Sequence, residues 1–214
     1  MRKNITLRSS GLRKSAQPLS STLDAQGSFA SYEIRKATLH DRETLETLIA
    51  RSARQLGAQD YTAEQIEAAL RGAFGVDTQL IQDATYFVVE SQGKIVGCGG
   101  WSRRRTLFGG DSHTERSAAT LDPRVEPGKI RAFFVTPEHA RKGIGTIILK
   151  HCEESARSFG FSRLELMATL PGVRLYAKHG YVSDSPIQYE LAPGLNIEFV
   201  PMRKTLQGNN EQGI

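Results

Sequence analysis

The residues best suited to chemistry lie between Thr136 and Thr146, in TPEHARKGIGT. This stretch follows the apolar run KIRAFFV (129–135) and leads into a strong helical pattern. The first N–H groups of a helix have no partner within it, and the macrodipole adds roughly half a positive charge there. Gly143 and Gly145 carry no Cβ, so a bulky anion can approach the backbone, and Arg141 and Lys142 add positive charge. Such a turn is an anion cradle for a phosphate or pyrophosphate. Two common nucleotide patterns do not fit. No stretch supplies the Walker A spacing, and the dinucleotide fingerprint needs a glycine where Ile148 stands. Cys98 and Cys152 each lie in an apolar pattern and read as core thiols of a reducing compartment. Neither C-x-x-C nor H-E-x-x-H occurs, so no metal is expected.

A cradle must stand where a strand gives way to a helix, so its neighbours have to supply both. Tyr32 to Lys36 reads as a short strand. Leu45, Leu48, Ile49 and Ser52 recur at helical spacing, which predicts a helix over 39–55, with Thr38 as its cap and Gly57 as its end. Thr62-Ala63-Glu64-Gln65 is a capping box that opens a second helix, 63–73. Residues 85–90 and 94–101 form a hairpin across Ser91-Gln92-Gly93. Residues 102–128 hold no sustained period, and a loop of that length is the expected specificity element. Strand 129–135, the cradle and a helix over 142–159 follow, then a strand over 163–168 and a short helix over 172–178. Strands over 187–191 and 197–204 close the fold. The expected class is α/β of the α+β kind: a mixed, mostly antiparallel sheet of about seven strands with helices on both faces. Its parallel pair, 129–135 and 163–168, is joined by the cradle helix as a right-handed crossover.

Composition bounds the partners. The chain has 214 residues and a net charge of +5, of which residues 1–31 hold +4. The basic excess thus belongs to an N-terminal extension, expected to be disordered, and the domain over 32–206 is near neutral. That argues against nucleic acid as a partner. No apolar run reaches 18 residues, so no membrane span is expected. Residues 207–214 read as a frayed end. A cytoplasmic protein is expected, with organelle targeting by the basic extension left open.

The element order, with a basic glycine turn after the fourth strand, resembles the GCN5-related N-acetyltransferase (GNAT) superfamily over about 32–204. Two motifs carry the resemblance. Ala140-Arg141-Lys142-Gly143-Ile144-Gly145 is similar to the pyrophosphate loop [QR]-x-x-G-x-[GA], departing from it at Ala140. Gly172 to Tyr181, with Leu175-Tyr176 and Gly180-Tyr181, is similar to A-x-x-[FL]-Y-x-x-x-G-[FY]. The resemblance implies acetyl-CoA as co-substrate and no metal. It implies cofactor binding by the cradle, Arg141, Lys142, Gly143, Ile144, Gly145 and Thr146, and by the main chain of Phe133, Phe134 and Val135. It implies Tyr176 as the general acid that protonates the leaving thiolate. The expected acceptor is a primary amine of a small molecule, attacking directly in a ternary complex. A weak acyl-CoA-binding sensor and a protein or peptide N-acetyltransferase stay open, as does a homodimer. Strand 129–135 holds no carboxylate; Asp111, His113, Asp122 and Glu126 in the preceding loop are candidates for the base, directly or through water, and its identity stays open. Tyr61 and Trp101 are candidates for the acceptor pocket or for plain core.

Overall fold

The computed structural model describes residues 21–23, 29–112 and 119–206. The expected disorder of residues 1–20 and 24–28, the expected fraying of 207–214, and His113 lie outside them. Strands run over Ser21–Leu23 (β1), Phe29–Lys36 (β2), Tyr86–Ser91 (β3), Lys94–Ser102 (β4) and Gly128–Val135 (β5). They continue over Arg163–Thr169 (β6), Val182–Ser183 (β7), Ile187–Ala192 (β8) and Leu195–Thr205 (β9). Helices run over Arg42–Leu56 (α1), Ala63–Leu70 (α2), Thr78–Gln82 (α3), Ile144–Ser158 (α4) and Val173–Lys178 (α5). The sheet order is β1-β2-β3-β4-β5-β6-β9-β7, with β8 also on β9. Only β5 and β6 pair in parallel among these strands. The class is the expected one, with nine strands in place of seven. The two further strands are β1, which falls within residues 1–31, and the two-residue β7, too short to alternate visibly; β2 also starts earlier than expected, at Phe29. Helix α3 was also hidden: at five residues it has no period, and its start is fixed by Asp77, whose side chain accepts from Gln79 N.

Alternation along the strands divides the core. Phe87 and Val89 point to the layer of α4 and α5, while Tyr86 and Val88 point to the layer of α1, α2 and α3. Trp101 belongs to the first layer. It is buried, its Nε1 donates to Ser155 Oγ at 2.9 Å, and its ring meets Phe161 edge-on. Among the described residues no helix is long and apolar enough to cross a membrane.

One irregularity positions everything that follows. Along β4 and β5, Gly100 faces Arg131, but Cys98 faces Phe134. Two residues of β5, Ala132 and Phe133, therefore stand opposite Gly99 alone: a β-bulge. Ala132 takes a left-handed φ of 55° to make it. The bend carries β5 away from β6, and the two pair only at Gly128 with Leu164 and Lys129 with Glu165. Below the bulge Arg131 is pinned. Its guanidinium meets the carboxylate of Asp77 at 2.6 Å, with side chains 2% and 0% exposed, and its Nη2 donates to Gly109 O at 2.5 Å. The Tyr86 hydroxyl donates to Ala132 O at 3.3 Å.

Candidate active site

Where β5 and β6 part, a cleft of about 400 Å³ opens. One wall is the end of β5, Phe133 to Val135, beyond its last pairing with β6. The floor is the cradle. After the turn at Pro137–His139, Arg141 takes φ 65° and Gly143 φ 86°. Those values delay α4 to Ile144, two residues later than the spacing predicts. The first bond of the helix runs from Ile147 N to Gly143 O. The N–H groups of Gly143, Ile144, Gly145 and Thr146 therefore have no partner within the helix. No acidic side chain stands in that first turn.

The two glycines serve different ends. Gly143 supplies the left-handed turn, and a Cβ there would meet open space. Gly145 serves packing: a Cβ would come within 2.9 Å of Leu175 Cδ2, so its bareness lets α5 close on α4. Arg141 lines the cleft, whereas Lys142 is exposed and does not. The Thr146 hydroxyl lies 3.0 Å from His179 Nε2 and is already engaged.

The opposite wall comes from β6 and α5. Tyr176 is buried, its ring centroid 5.9 Å from that of Phe133. Burial pushes its phenol well above the ordinary tyrosine range. Arg174 and Lys178, one turn apart on α5, also line the cleft. The third wall is α1 with the segment after it: Ser52, Leu56 and Tyr61. Tyr61 spans the gap. Its hydroxyl donates to Glu198 O and accepts from Leu170 N, both at 2.8 Å, and burial raises its pKa to about 12.

Of the four candidate bases, the three that are described, Asp111, Asp122 and Glu126, do not line this cleft. Asp111 accepts from Thr78 N at 2.8 Å and ties the loop to α3. Asp122 holds Arg124 at 2.8 Å, and Glu126 holds Arg105 at 2.7 Å. His113 lies outside the described residues. Among the described lining residues there is no carboxylate. A histidine that lines the cleft is His139, in the turn before the cradle. Its Nδ1 lies 2.9 Å from Thr136 Oγ1. Its pKa is lowered by burial first and by the charge of Lys142 second. Sequence reasoning passed over His139, Arg174 and Lys178. The 174/178 spacing was a usable signal, since i and i+4 share a helix face. Of the two pocket candidates, Tyr61 lines the cleft and Trp101 is core. The RRR run of the long loop is spent on ion pairs, Arg103 and Arg104 with Asp83 and Arg105 with Glu126.

Solved structures share this fold. A GCN5-related N-acetyltransferase from Rhodopseudomonas palustris aligns with TM-score 0.59 and 20% identity, over 81% of this chain and 94% of that one. The PaiA N-acetyltransferase from Thermoplasma acidophilum, solved in complex with coenzyme A, aligns with TM-score 0.56 and 16% identity, over 82% and 99%. The ribosomal-protein-S18-alanine N-acetyltransferase from Escherichia coli aligns with TM-score 0.51 and 12% identity, over 86% and 99%. At these identities the likeness is one of fold. A search of curated proteins finds no significant match. The sequence profile of the acetyltransferase (GNAT) family matches residues 46–181, a span that holds the bulged strand, the cradle and Tyr176. The chain belongs to that family.

Proposed function

We propose that this chain transfers an acetyl group from acetyl-CoA to the primary amine of a small molecule, in a ternary complex, with Tyr176 as general acid. As a family member it is an acetyl-CoA-dependent acetyltransferase. The observation that carries the fuller reading is the meeting of free helix N–H groups, cations and a buried phenol in one cleft.

The residues present fit acetyl-CoA. The N–H groups of Gly143 to Thr146 suit a pyrophosphate, and Arg141, Arg174 and Lys178 neutralise it. The main chain of Phe133 to Val135, free of β6, offers strand-type pairing to the extended arm. The complex of a same-fold neighbour with coenzyme A supports this reading. Bound there, acetyl-CoA supplies an acetyl thioester open to attack.

The proton path uses this chain's own groups. His139, neutral at pH 7 because its pKa is lowered, accepts the proton released by the amine. Tyr176 gives its proton to the departing sulfur. A thiolate leaving beside buried aromatic groups is a charge poorly solvated there, and a proton from the phenol neutralises it. One N–C bond replaces one C–S bond, and the proton lost by nitrogen makes good the one lost by the phenol.

The test is binding and turnover together. Acetyl-CoA at about 100 times its dissociation constant should stabilise the chain by about 2.7 kcal/mol in thermal melts. Tyr176→Phe should keep that binding and lose roughly 100-fold or more in turnover. A variant with full turnover would remove the acid from Tyr176.

A further inference from the structure

Two hollows meet at the bulge of β5. The larger is the cleft; the smaller, of about 60 Å³, shares Phe74, Phe134, Thr169 and Tyr176 with it. Beyond the bulge, successive side chains point to opposite faces. Phe133 packs against Tyr176 on the α4–α5 side, and Phe134 packs edge-on against Phe74, also at 5.9 Å, on the α1–α2 side. The first side carries the helix N–H groups, Arg141, Arg174 and Lys178. The second side is built from rings. Phe74 meets Phe199 at 6.3 Å, and Phe108 closes the far end at 5.6 Å from Phe199. Tyr61 presents its ring here, because its hydroxyl is held by Glu198 O and Leu170 N. Among the described residues no Asp or Glu lines either hollow. The charge in the smaller one, Arg131, is buried against Asp77.

From this we infer the acceptor class: a monoamine carried on an uncharged aromatic body, seated against Tyr61, Phe74 and Phe134. The inference rests on the acetyl-transfer reading above and deepens it. A polyamine or aminoglycoside would bring further ammonium groups into a ring-lined chamber with no carboxylate to pair them. A substrate with an extra carboxylate would meet no accessible cation on the ring side, where Arg131 is buried against Asp77. A single amine entering among rings is stripped of water and shifted toward its neutral form, which is the nucleophile. Its ring gains edge-to-face contact with the chamber wall. The transfer is the one given above: N–C forms, C–S breaks, Tyr176 protonates sulfur, and His139 takes the amine proton.

Thiol release by the full chain should be compared for 2-phenylethylamine, spermidine, kanamycin and glutamate, with acetyl-CoA binding measured alongside by calorimetry. The expected kcat/KM for 2-phenylethylamine exceeds that for each of the others by roughly tenfold or more. Its ring protons should also show saturation transfer in the presence of coenzyme A. Leu56→Glu places a carboxylate at a half-buried position on the cleft wall and should narrow the preference over spermidine by roughly tenfold. Preference for spermidine, kanamycin or glutamate overturns the inference. So does 2-phenylethylamine that is neither bound nor acetylated while acetyl-CoA binds, or a preference untouched by Leu56→Glu. Failure of acetyl-CoA itself to bind overturns the acetyl-transfer reading instead.

Discussion

His139 lies where burial and the charge of Lys142 both disfavour the imidazolium, with Glu138 pulling weakly the other way. The result is an imidazole that is neutral at pH 7, as the proposed base must be. A profile of kcat/KM against pH should therefore show an inflection below the ordinary histidine value of about 6.5. In His139→Gln that inflection should vanish and the rate fall roughly 100-fold, while the rise due to the amine's own titration stays. An inflection that survives the substitution would place the base elsewhere. The cradle was legible in the sequence because its signals are local: glycines, basic residues and a strand-to-helix junction within ten positions. The acceptor wall was not. Ser52, Tyr61, Phe74 and Thr169 come from four separate segments, and each alone looks like core. The carboxylates of the long loop misled for the complementary reason. Asp111, Asp122 and Glu126 are placed by partners that a linear reading cannot see.

Among the elements, β5 bears the most constraint. Arg131 at 2% exposure and Asp77 at 0% form an ion pair that ties β5 to the start of α3, directly below the bulge. Removing one member leaves the other charge buried without its partner. Arg131→Met should lower stability by about 3–5 kcal/mol in urea unfolding. Arg131→Met combined with Asp77→Leu should recover most of that loss. A single variant as stable as the parent would show that the pair contributes nothing. Strand and helix positions were read well wherever the periodic run was long, as in α1 and α4. The bulge was invisible, because one extra residue in an apolar strand leaves no trace in composition or period.

Across the whole molecule, three histidines share one electrostatic sign. His139, His151 and His179 all have pKa values lowered, in each case mainly by burial. A base with a depressed folded-state pKa binds protons more readily when unfolded. The stability it contributes is complete above about pH 6.5 and is lost as pH falls through the lowered value. The urea midpoint should therefore be lower at pH 5.5 than at pH 7.5. His151→Gln, at the half-buried ring packed 4.5 Å from Phe87, should shrink the difference. Equal midpoints in the parent protein would refute this account. A last consequence follows from Ala132. Ile130, Phe133 and Val135 face α4, while Arg131, Ala132 and Phe134 face the other layer. Delete Ala132 and strict in–out alternation is restored, with Phe134 still opposite Cys98 and Val135 still opposite Gly97. The deletion also removes a left-handed alanine, a conformation that costs roughly 1–2 kcal/mol. The shortened chain should melt no lower than the parent, yet its fifth strand would run straight on beside the sixth and acetyl-CoA binding would be gone. Folding would do as well without this codon; the gap between the two strands depends on it.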